Sequence, residues 1–205
     1  MRSLTLRALE GIPEVGEGDD LAVFALDGLA RTGLALAPGD VLVLAQKIVS
    51  KSEGRCVLLS TVTPSARALE LAALTGKDAR LVELVLSESK AVLRAKKDVL
   101  IVEHRLGHVM ANAGIDQSNV EHAEASALLL PLDADASCER LRMALRGATG
   151  VDPGIVVNDS FGRAWRHGTV GIALGVAGLP GLLDLRGRPD RFGRKLLITQ
   201  VGLAD

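Results

Sequence analysis

Two short polar segments carry the residues of this sequence that are best suited to chemistry. The first, Asn112–Asn119, reads Asn-Ala-Gly-Ile-Asp-Gln-Ser-Asn and directly follows the apolar run Val109–Ala111. The second, Asn158–Arg163, reads Asn-Asp-Ser-Phe-Gly-Arg and directly follows the apolar run Ile155–Val157. Both apolar runs are typical of strands, and polar residues at strand ends often bind ligands in folds that combine helices and sheets.

Each polar segment contains an aspartate, Asp116 in the first and Asp159 in the second. Mg²⁺ and Mn²⁺ prefer carboxylate and hydroxyl oxygens, and are commonly held by one or two carboxylates together with substrate phosphates. One hypothesis is therefore that the two segments converge on a metal ion that carries phosphate. The alternative is that both are turns in which the Asp or Asn side chain bonds to its own backbone. The residue pattern leaves both interpretations open.

A basic stretch, Gln46–Arg55, follows another apolar run, Val41–Ala45, which predicts a strand that is buried on both faces. Its positive charges are Lys47, Lys51 and Arg55, and its position after a buried strand predicts a loop that faces a ligand. The alternative is a solvated turn. Its glycines do not match a Walker-type phosphate loop, so no standard nucleotide motif is present.

Two arginines lie at the end of the second polar segment and just after it. The negative charge of Asp159 and the positive charges of Arg163 and Arg166 together suit an anionic substrate beside a metal ion. The structural alternative is an internal salt bridge from Asp159 to Arg163.

Composition limits the class of protein. Of 205 residues, 48% are hydrophobic but only 2% are aromatic, so the core is aliphatic and base stacking on aromatic rings is disfavoured. A formal net charge of −1 provides no overall attraction for nucleic acid or an acidic membrane. The N-terminus lacks a signal-peptide pattern, and the apolar stretch 171–183 is broken by Gly and Pro. We expect a soluble, cytoplasmic protein that binds neither nucleic acid nor membrane.

Periodicity predicts helices interspersed with strands. Together these elements indicate an α+β fold with mixed and antiparallel sheets. The predicted helices begin near Asp19–Asp20, at Thr63–Pro64 with Thr63 as the cap, near Asp78 and near Asp133. The predicted strands lie at Leu4–Ala8, Val41–Ala45, Val92–Leu93, Val99–Val102, His108–Met110, Ile155–Val157 and from Leu196, and Leu128–Leu130 is predicted as a buried run.

Five groups of residues, taken in order, resemble the family of coenzyme F420-0:L-glutamate ligases, also called F420 γ-glutamyl ligases. The matches run through almost the whole chain, and the one around Asp116 is the most specific. They are Gly11–Glu14 with Gly18–Leu21, Ala45–Lys51 with Glu53–Arg55, Asn112–Val120, Asp159–Arg163 with Trp165–Arg166, and Asp190–Arg194.

The resemblance implies a single ligase domain over residues 1–205 with a compact, two-lobed fold. The implied activity is an amide ligase that adds L-glutamate to the lactyl carboxylate of the deazaflavin precursor F420-0. The implied co-substrate is GTP, the implied metal is Mn²⁺ or Mg²⁺, and K⁺ is a further candidate ion. The family is dimeric, which makes a homodimer the expected assembly.

The resemblance also implies roles for individual residues. Asp116, Asp159 and Ser160 are expected to hold the metal, and Ser160 stands where the family often has Thr, which supplies an equivalent hydroxyl oxygen. Lys51 joins Asp116 and Asp159 as an expected catalytic residue, and we assign Arg163 and Arg166 to the acceptor or to glutamate from their charge alone. The residues expected to bind the nucleotide are Ile12, Pro13, Glu14, Val15, Gln46, Lys47, Lys51 and Asn119.

Family members normally continue past the position of Asp205 with a helix and a Gly-rich segment that complete the metal and nucleotide sites. The sequence therefore leaves three functions to compare. They are the ligase, a non-catalytic module that binds GTP or the deazaflavin with an incomplete site, and a metal-dependent phosphohydrolase that uses the same aspartates.

Overall fold

The computed structural model of the chain describes residues 3–118, 125–162, 165 and 167–205, and it combines helices with parallel and antiparallel strands. The predicted α+β class with mixed sheets is confirmed. The chain forms two compact units, which are described separately below. The first consists of Met1–Ala45, Ala134–Asp159 and Ile172–Asp205, and the second of Gln46–Asp133 and Ser160–Gly171.

The two helices of the first unit's described part are α1, Leu21–Arg31, and α5, Ala134–Thr149, and they contact each other. Helix α1 begins where the sequence predicts, because the Asp20 carboxylate accepts hydrogen bonds from the backbone N–H groups of Ala22 and Val23. The buried faces of α1 and α5 are lined by small and aliphatic residues, as expected for an aliphatic core. They are Ala22, Ala25 and Leu29 from α1, and Cys138, Leu141 and Leu145 from α5.

Strand β1, Val41–Ala45, pairs in parallel with β7, Gly154–Gly162, which also neighbours β8, Thr169–Ala177. The prediction that β1 is buried on both faces is wrong. Leu44 is buried, but Val41 and Val43 are 47% and 58% exposed. An apolar run indicates burial on both faces only when both faces are covered, and here the alternation of exposure along β1 means that one face is open.

Two terminal strand predictions also need correction. Residues 4–8, predicted as a strand from alternation, have no regular structure, and Leu4 and Leu6 are 87% and 88% exposed. The last strand is β10, Gln200–Gly202, rather than a strand that begins at Leu196. It pairs antiparallel with β9, Leu182–Asp184. Alternation of apolar residues cannot form a strand without a partner for its backbone groups.

Gly175 in β8 packs closely against the backbone of Ala134. A Cβ at Gly175 would lie 2.3 Å from the backbone carbon of Ala134 and 2.5 Å from its oxygen. We expect Gly175→Ala to lower the free energy of unfolding by about 2 kcal/mol, because backbone must shift to admit the methyl group. Urea denaturation measures this change.

Gly147 provides the matched control for that substitution. It lies within α5 and would place a new Cβ in open space. Gly147→Ala should therefore leave the stability unchanged or raise it by about 0.5–1 kcal/mol through helix propensity. Equal effects of the two substitutions would contradict the packing argument.

The second unit contains the helices α2, Gln46–Ser52, α3, Ala66–Thr75, and α4, Ala79–Ser87. The cap of α3 is Ser65 rather than the predicted Thr63, since the Ser65 hydroxyl accepts from Ala68 N–H. Helix α4 lies within the predicted segment and begins after Asp78, which caps it. Apolar residues of α3 and α4 pack in one hydrophobic cluster, whose fully buried members include Ala68, Val82, Leu100 and Val102.

The predicted meander is confirmed in the same unit. Strands β3, Ser89–Lys96, β4, Val99–His104, and β5, Val109–Ala111, pair antiparallel in that order. A second antiparallel pair joins β2, Cys56–Leu58, to β6, Ser126–Leu128. Within the described ranges, no helix has both the length and the apolar character needed to cross a bilayer.

Candidate active site

Helix α2 positions the basic residues that follow β1 in the chain. The predicted loop over Gln46–Arg55 is wrong, because its first seven residues form this helix. Gln46 and Ser50, one turn apart, are buried together, and Gln46 Nε2 donates a hydrogen bond of 2.7 Å to Ser50 Oγ. Polar residues that satisfy one another can be buried in a helix, which composition alone does not reveal. Lys47 and Lys51 lie on this helix four residues apart.

The backbone of Leu128–Leu130 fixes both ends of α2. At its start, Gln46 Nε2 also approaches the carbonyl oxygen of Leu129 at 3.5 Å. After its end, the backbone oxygen of Arg55 accepts from Leu129 N–H at 3.0 Å, and Arg55 Nε donates to the carbonyl oxygen of Leu130 at 2.8 Å. The helix is therefore held against one extended segment of chain at two places.

The same segment holds Asp116. Asp116 N–H donates to the carbonyl oxygen of Leu128 at 3.1 Å, and Leu128 N–H donates to that of Asp116 at 2.8 Å. Helix α2 and Asp116 thus share one support. This support brings Lys47 Nζ to 2.8 Å from Asp116 Oδ2. Of the predicted site residues in the described ranges, these two form an ion pair.

Asp116 also confirms the turn interpretation of its segment. Its Oδ1 accepts a hydrogen bond of 2.7 Å from Ser118 N–H, two residues on, which is an Asx turn. The two interpretations of this segment do not compete, because one carboxylate oxygen closes the turn and the other contacts Lys47. The turn fixes the direction of the carboxylate.

A left-handed turn directly precedes Asp116. Asn112, Ala113 and Gly114 all have positive φ, at 51°, 54° and 68°. The positive φ of Gly114 favours glycine, and a Cβ there would also displace the end of the Met110 side chain, whose Cε would lie 2.5 Å away. This conformation turns the chain sharply after β5, and the sequence prediction missed it because Ala at positive φ has no sequence signature.

The electrostatics of Asp116 follow from these contacts. Partial burial raises the pKa of this carboxyl group, but hydrogen bonds from Lys47 and Ser118 and the lysine charge lower it by more, so its pKa lies below its ordinary value. Asp116 is therefore an anion at neutral pH. Its side chain is 38% exposed, which leaves it accessible to ions and ligands.

A buried charge cluster supports the same region and was missed by sequence reasoning. The Glu88 side chain is 10% exposed, and its Oε2 lies 3.0 Å from both Arg55 Nη2 and Arg105 Nε. His104, which is fully buried, places Nε2 at 3.6 Å from the same oxygen. Arg105 also donates to the carbonyl oxygen of Leu132 at 2.9 Å. Glu88 therefore links Arg55, after α2, to the end of β4.

A sequence signal for this cluster existed. Glu88 follows Leu84 and Val85 by four and three residues, which places it on the apolar face of α4. A carboxylate on an apolar face requires cationic partners, because an unpaired buried charge is strongly unfavourable.

Acid should remove the contribution of Glu88 to stability. Burial raises its pKa, but His104, Arg105 and Arg55 together lower it to about 2, from an ordinary value of 4.5. A carboxyl group with a lowered pKa stabilises the fold above its unfolded pKa, and this stability is lost as pH falls through the folded value. We expect the free energy of unfolding to fall by up to about 3 kcal/mol between about pH 5 and pH 2.

Urea denaturation across this pH range measures the effect, with Glu88→Gln as the control. The glutamine side chain does not take up a proton in this pH range, so the stability of the variant should depend less on pH than that of the wild type. Parallel pH profiles would contradict the assignment of this acid sensitivity to Glu88.

The other predicted site residues lie as follows. Ile12–Val15 precede α1 in the first unit without regular structure; Ile12 is 38% exposed and Val15 is buried. Asp159 and Ser160 lie inside β7, so the prediction that they follow the strand end is wrong, because β7 continues to Gly162. Gln46 is buried, and its side chain braces α2. Three predicted residues fall outside the described residues: Asn119, Arg163 and Arg166.

The surroundings of the Lys47 ammonium test whether this site suits a hard cation. Nζ lies 2.8 Å from Asp116 Oδ2, 2.6 Å from Ser118 Oγ and 3.4 Å from the backbone oxygen of Ser118. A carboxylate, a hydroxyl and a carbonyl oxygen are the donor types that Mg²⁺ and Mn²⁺ accept. No group of three or more His, Cys, Asp or Glu side chains with metal-binding geometry occurs among the described residues. The donor set at Asp116 fits a metal that completes its shell with water or phosphate.

Comparison with known proteins identifies the family. A family model described as F420-0:Gamma-glutamyl ligase matches residues 11–205. The chain belongs to this family. It is 44% identical over 202 residues to the coenzyme F420:L-glutamate ligase of Methanothermobacter thermautotrophicus, covering 98% of this chain and 79% of that one. It is also 44% identical to the protein of that name from Methanopyrus kandleri, covering 98% and 78%.

A third relative extends the similarity to another organism. The coenzyme F420:L-glutamate ligase of Natronomonas pharaonis is 45% identical over 204 residues, which cover 97% of this chain and 75% of that one. Members of this family are ligases, so the chain is an enzyme. The resemblance drawn from the sequence motifs is confirmed.

Proposed function

We propose that this chain is a GTP-dependent amide ligase that joins L-glutamate to the lactyl carboxylate of coenzyme F420-0. The observation that carries the proposal is the 44% identity, over nearly the whole chain, to relatives named coenzyme F420:L-glutamate ligase. The Lys47–Asp116 site adds a place for phosphate chemistry.

The proposed reaction has two steps. A carboxylate does not react with an amine unless one of its oxygens becomes a leaving group. In the first step, an oxygen of the lactyl carboxylate attacks the γ-phosphorus of GTP, the bond from that phosphorus to GDP breaks, and an acyl phosphate forms. In the second step, the amine of glutamate attacks the acyl carbon, phosphate leaves with the bonding electrons, and the nitrogen loses a proton. The products are the amide, GDP and phosphate.

The residues of α2 suit the first step. Negative charge spreads over the oxygens of the transferred phosphoryl group, and fixed positive charges around it lower the barrier. Lys47 and Lys51 lie on the same side of the helix, since they are four residues apart. We assign Lys47 to the phosphates and Lys51 to the transferred group.

Asp116 is the residue that we assign to the metal from the donor set around it, whereas Asp159 and Ser160 remain predictions from the sequence. When bound, Mn²⁺ or Mg²⁺ supplies further neutralisation of the phosphate charge. Asp116 itself is held in direction by its Asx turn and by the backbone of Leu128.

A mass-spectrometric end-point assay tests the proposal. The reaction contains this chain, F420-0, glutamate, GTP and Mn²⁺, and the controls omit GTP or replace it with ATP. A product heavier by one glutamyl unit that requires GTP is expected. GTP binding without product would instead support the binding module, and release of phosphate without glutamate transfer would support the phosphohydrolase. The homodimer remains a prediction, which sedimentation equilibrium checks.

A further inference from the structure

The Lys47 ammonium group contacts the same oxygens of Asp116 and Ser118 that we consider as metal donors. It lies within 3.4 Å of three oxygens that come from Asp116 and Ser118. The second carboxylate oxygen of Asp116 is engaged by Ser118 N–H. Both oxygens of Asp116 therefore have partners, and the one that faces away from the turn is neutralised by a cation of the protein itself.

A divalent ion and the ammonium group would compete for Asp116 Oδ2. The ammonium group is 2.8 Å from this atom, so an ion bound to the same atom would lie a few ångströms from a charge of the same sign. This repulsion favours departure of the ammonium group when the ion binds.

The structure indicates which group moves. Asp116 is held by two backbone hydrogen bonds to Leu128 and by its own turn. The Lys47 side chain contacts Asp116 through its ammonium group, which lies at the end of a flexible four-carbon chain. This side chain is 27% exposed. The lysine can swing away from the carboxylate without any change in the backbone, and the aspartate cannot.

We propose that Lys47 is a resident counter-ion of Asp116 that the metal displaces, and that the released ammonium group then binds the nucleotide phosphates. This inference rests on the proposed function, since it takes Asp116 as a metal ligand. Metal and nucleotide are then coupled through one side chain. Metal and nucleotide each strengthen the binding of the other. The nucleotide phosphates stabilise Lys47 in its displaced position, and the metal occupies Asp116, which is the other partner of Lys47.

Neutralising the lysine should therefore strengthen metal binding in the absence of nucleotide. Lys47→Met keeps the length of the side chain and removes its charge. We expect its affinity for Mn²⁺ alone to rise about tenfold, and the additional tightening of Mn²⁺ by GTP to shrink by a similar factor, which lies within the usual range of coupling between sites. If the lysine instead acts only as a phosphate ligand, Lys47→Met leaves the affinity for Mn²⁺ alone unchanged.

The measurement is a titration of free Mn²⁺ by electron paramagnetic resonance, with and without a GTP analogue whose β,γ-bridge is not hydrolysed. Lys90→Met is the matched control, because it removes the same charge from another part of the same unit. Lys90 is an exposed lysine whose ammonium group lies 3.9 Å from Glu103 Oε1. Lys47→Gln serves as a second neutral variant if the methionine variant does not fold.

The outcomes separate this inference from the proposed function. Tighter Mn²⁺ binding in Lys47→Met, but not in Lys90→Met, supports the displacement. If Asp116→Asn abolishes Mn²⁺ binding while both Lys47 variants bind it as the wild type does, the displacement is wrong and the metal assignment stands. If Asp116→Asn binds Mn²⁺ like the wild type, the metal assignment fails and the displacement fails with it.

Discussion

Replacing Asp116 by asparagine should reduce glutamate transfer by about a thousandfold while the protein stays folded. In the proposed function this carboxylate charge holds a divalent cation against the phosphates, and loss of one such electrostatic group typically lowers turnover by this order. The fold should survive, because an asparagine oxygen can still accept the hydrogen bond from Ser118 N–H. The ion pair with Lys47 is partly exposed, and such pairs contribute about 0–1 kcal/mol.

Initial rates of GTP-dependent product formation measure the effect, and thermal denaturation checks the fold. Asp78→Asn is the matched control. Asp78 is an exposed aspartate that also accepts a backbone hydrogen bond and pairs with an arginine, Arg80, at 2.6 Å. The Asp78→Asn variant should retain the turnover of the wild type. Normal turnover in Asp116→Asn would refute the assignment of Asp116 to the metal.

Replacing Glu88 by alanine should lower the free energy of unfolding by about 3–5 kcal/mol. This variant leaves the guanidinium groups of Arg55 and Arg105 without their shared anion in a largely buried place, and removal of one partner from a buried pair has effects of this size. The fully buried His104 loses the same neighbour. We expect this substitution to be among the most destabilising single changes in the second unit.

Urea denaturation at pH 7 measures this loss, and Glu103→Ala is the control. Glu103 is on β4 beside His104, and its side chain is 39% exposed at 3.9 Å from Lys90. Its removal should change the stability by less than about 1 kcal/mol. Similar losses in both variants would mean that the cluster around Glu88 is no stronger than a surface ion pair.

The sequence predicted local features that depend on neighbouring residues. The cap Asp20, the start of α4 near Asp78 and the meander of β3 to β5 were predicted, and a turn at Asp116 was one of two interpretations considered, since each is specified by residues a few positions apart. The sequence also singled out Asp116 as a candidate metal ligand, which stays a prediction. Its ion pair with Lys47 was not predicted, because that contact depends on separate bonds from Gln46, Arg55 and Asp116 to the 128–130 segment.

The errors arose where burial depends on distant parts of the chain. The segment after β1 was predicted as a loop because it is polar, yet Gln46 and Ser50 are buried as partners in a helix. Conversely, β1 was predicted as fully buried because it is apolar, yet Val43 is 58% exposed. Glu88 was overlooked because its partner Arg55 lies far away in the sequence. Residue type indicates whether burial is favourable, but burial of a polar or charged side chain also depends on whether the fold provides a hydrogen-bond or ion-pair partner.

The 128–130 segment that supports both α2 and Asp116 does so with main-chain atoms. Its amide and carbonyl groups are carried by every amino acid, apart from the missing N–H of proline. The side chains at positions 129 and 130 can therefore drift through evolution, or be randomised in a library, among apolar residues of similar volume without altering the spacing of lysine and aspartate. Proline at 128 or 129 is the exception, because it would delete a donor that joins this segment to Asp116 or to Arg55.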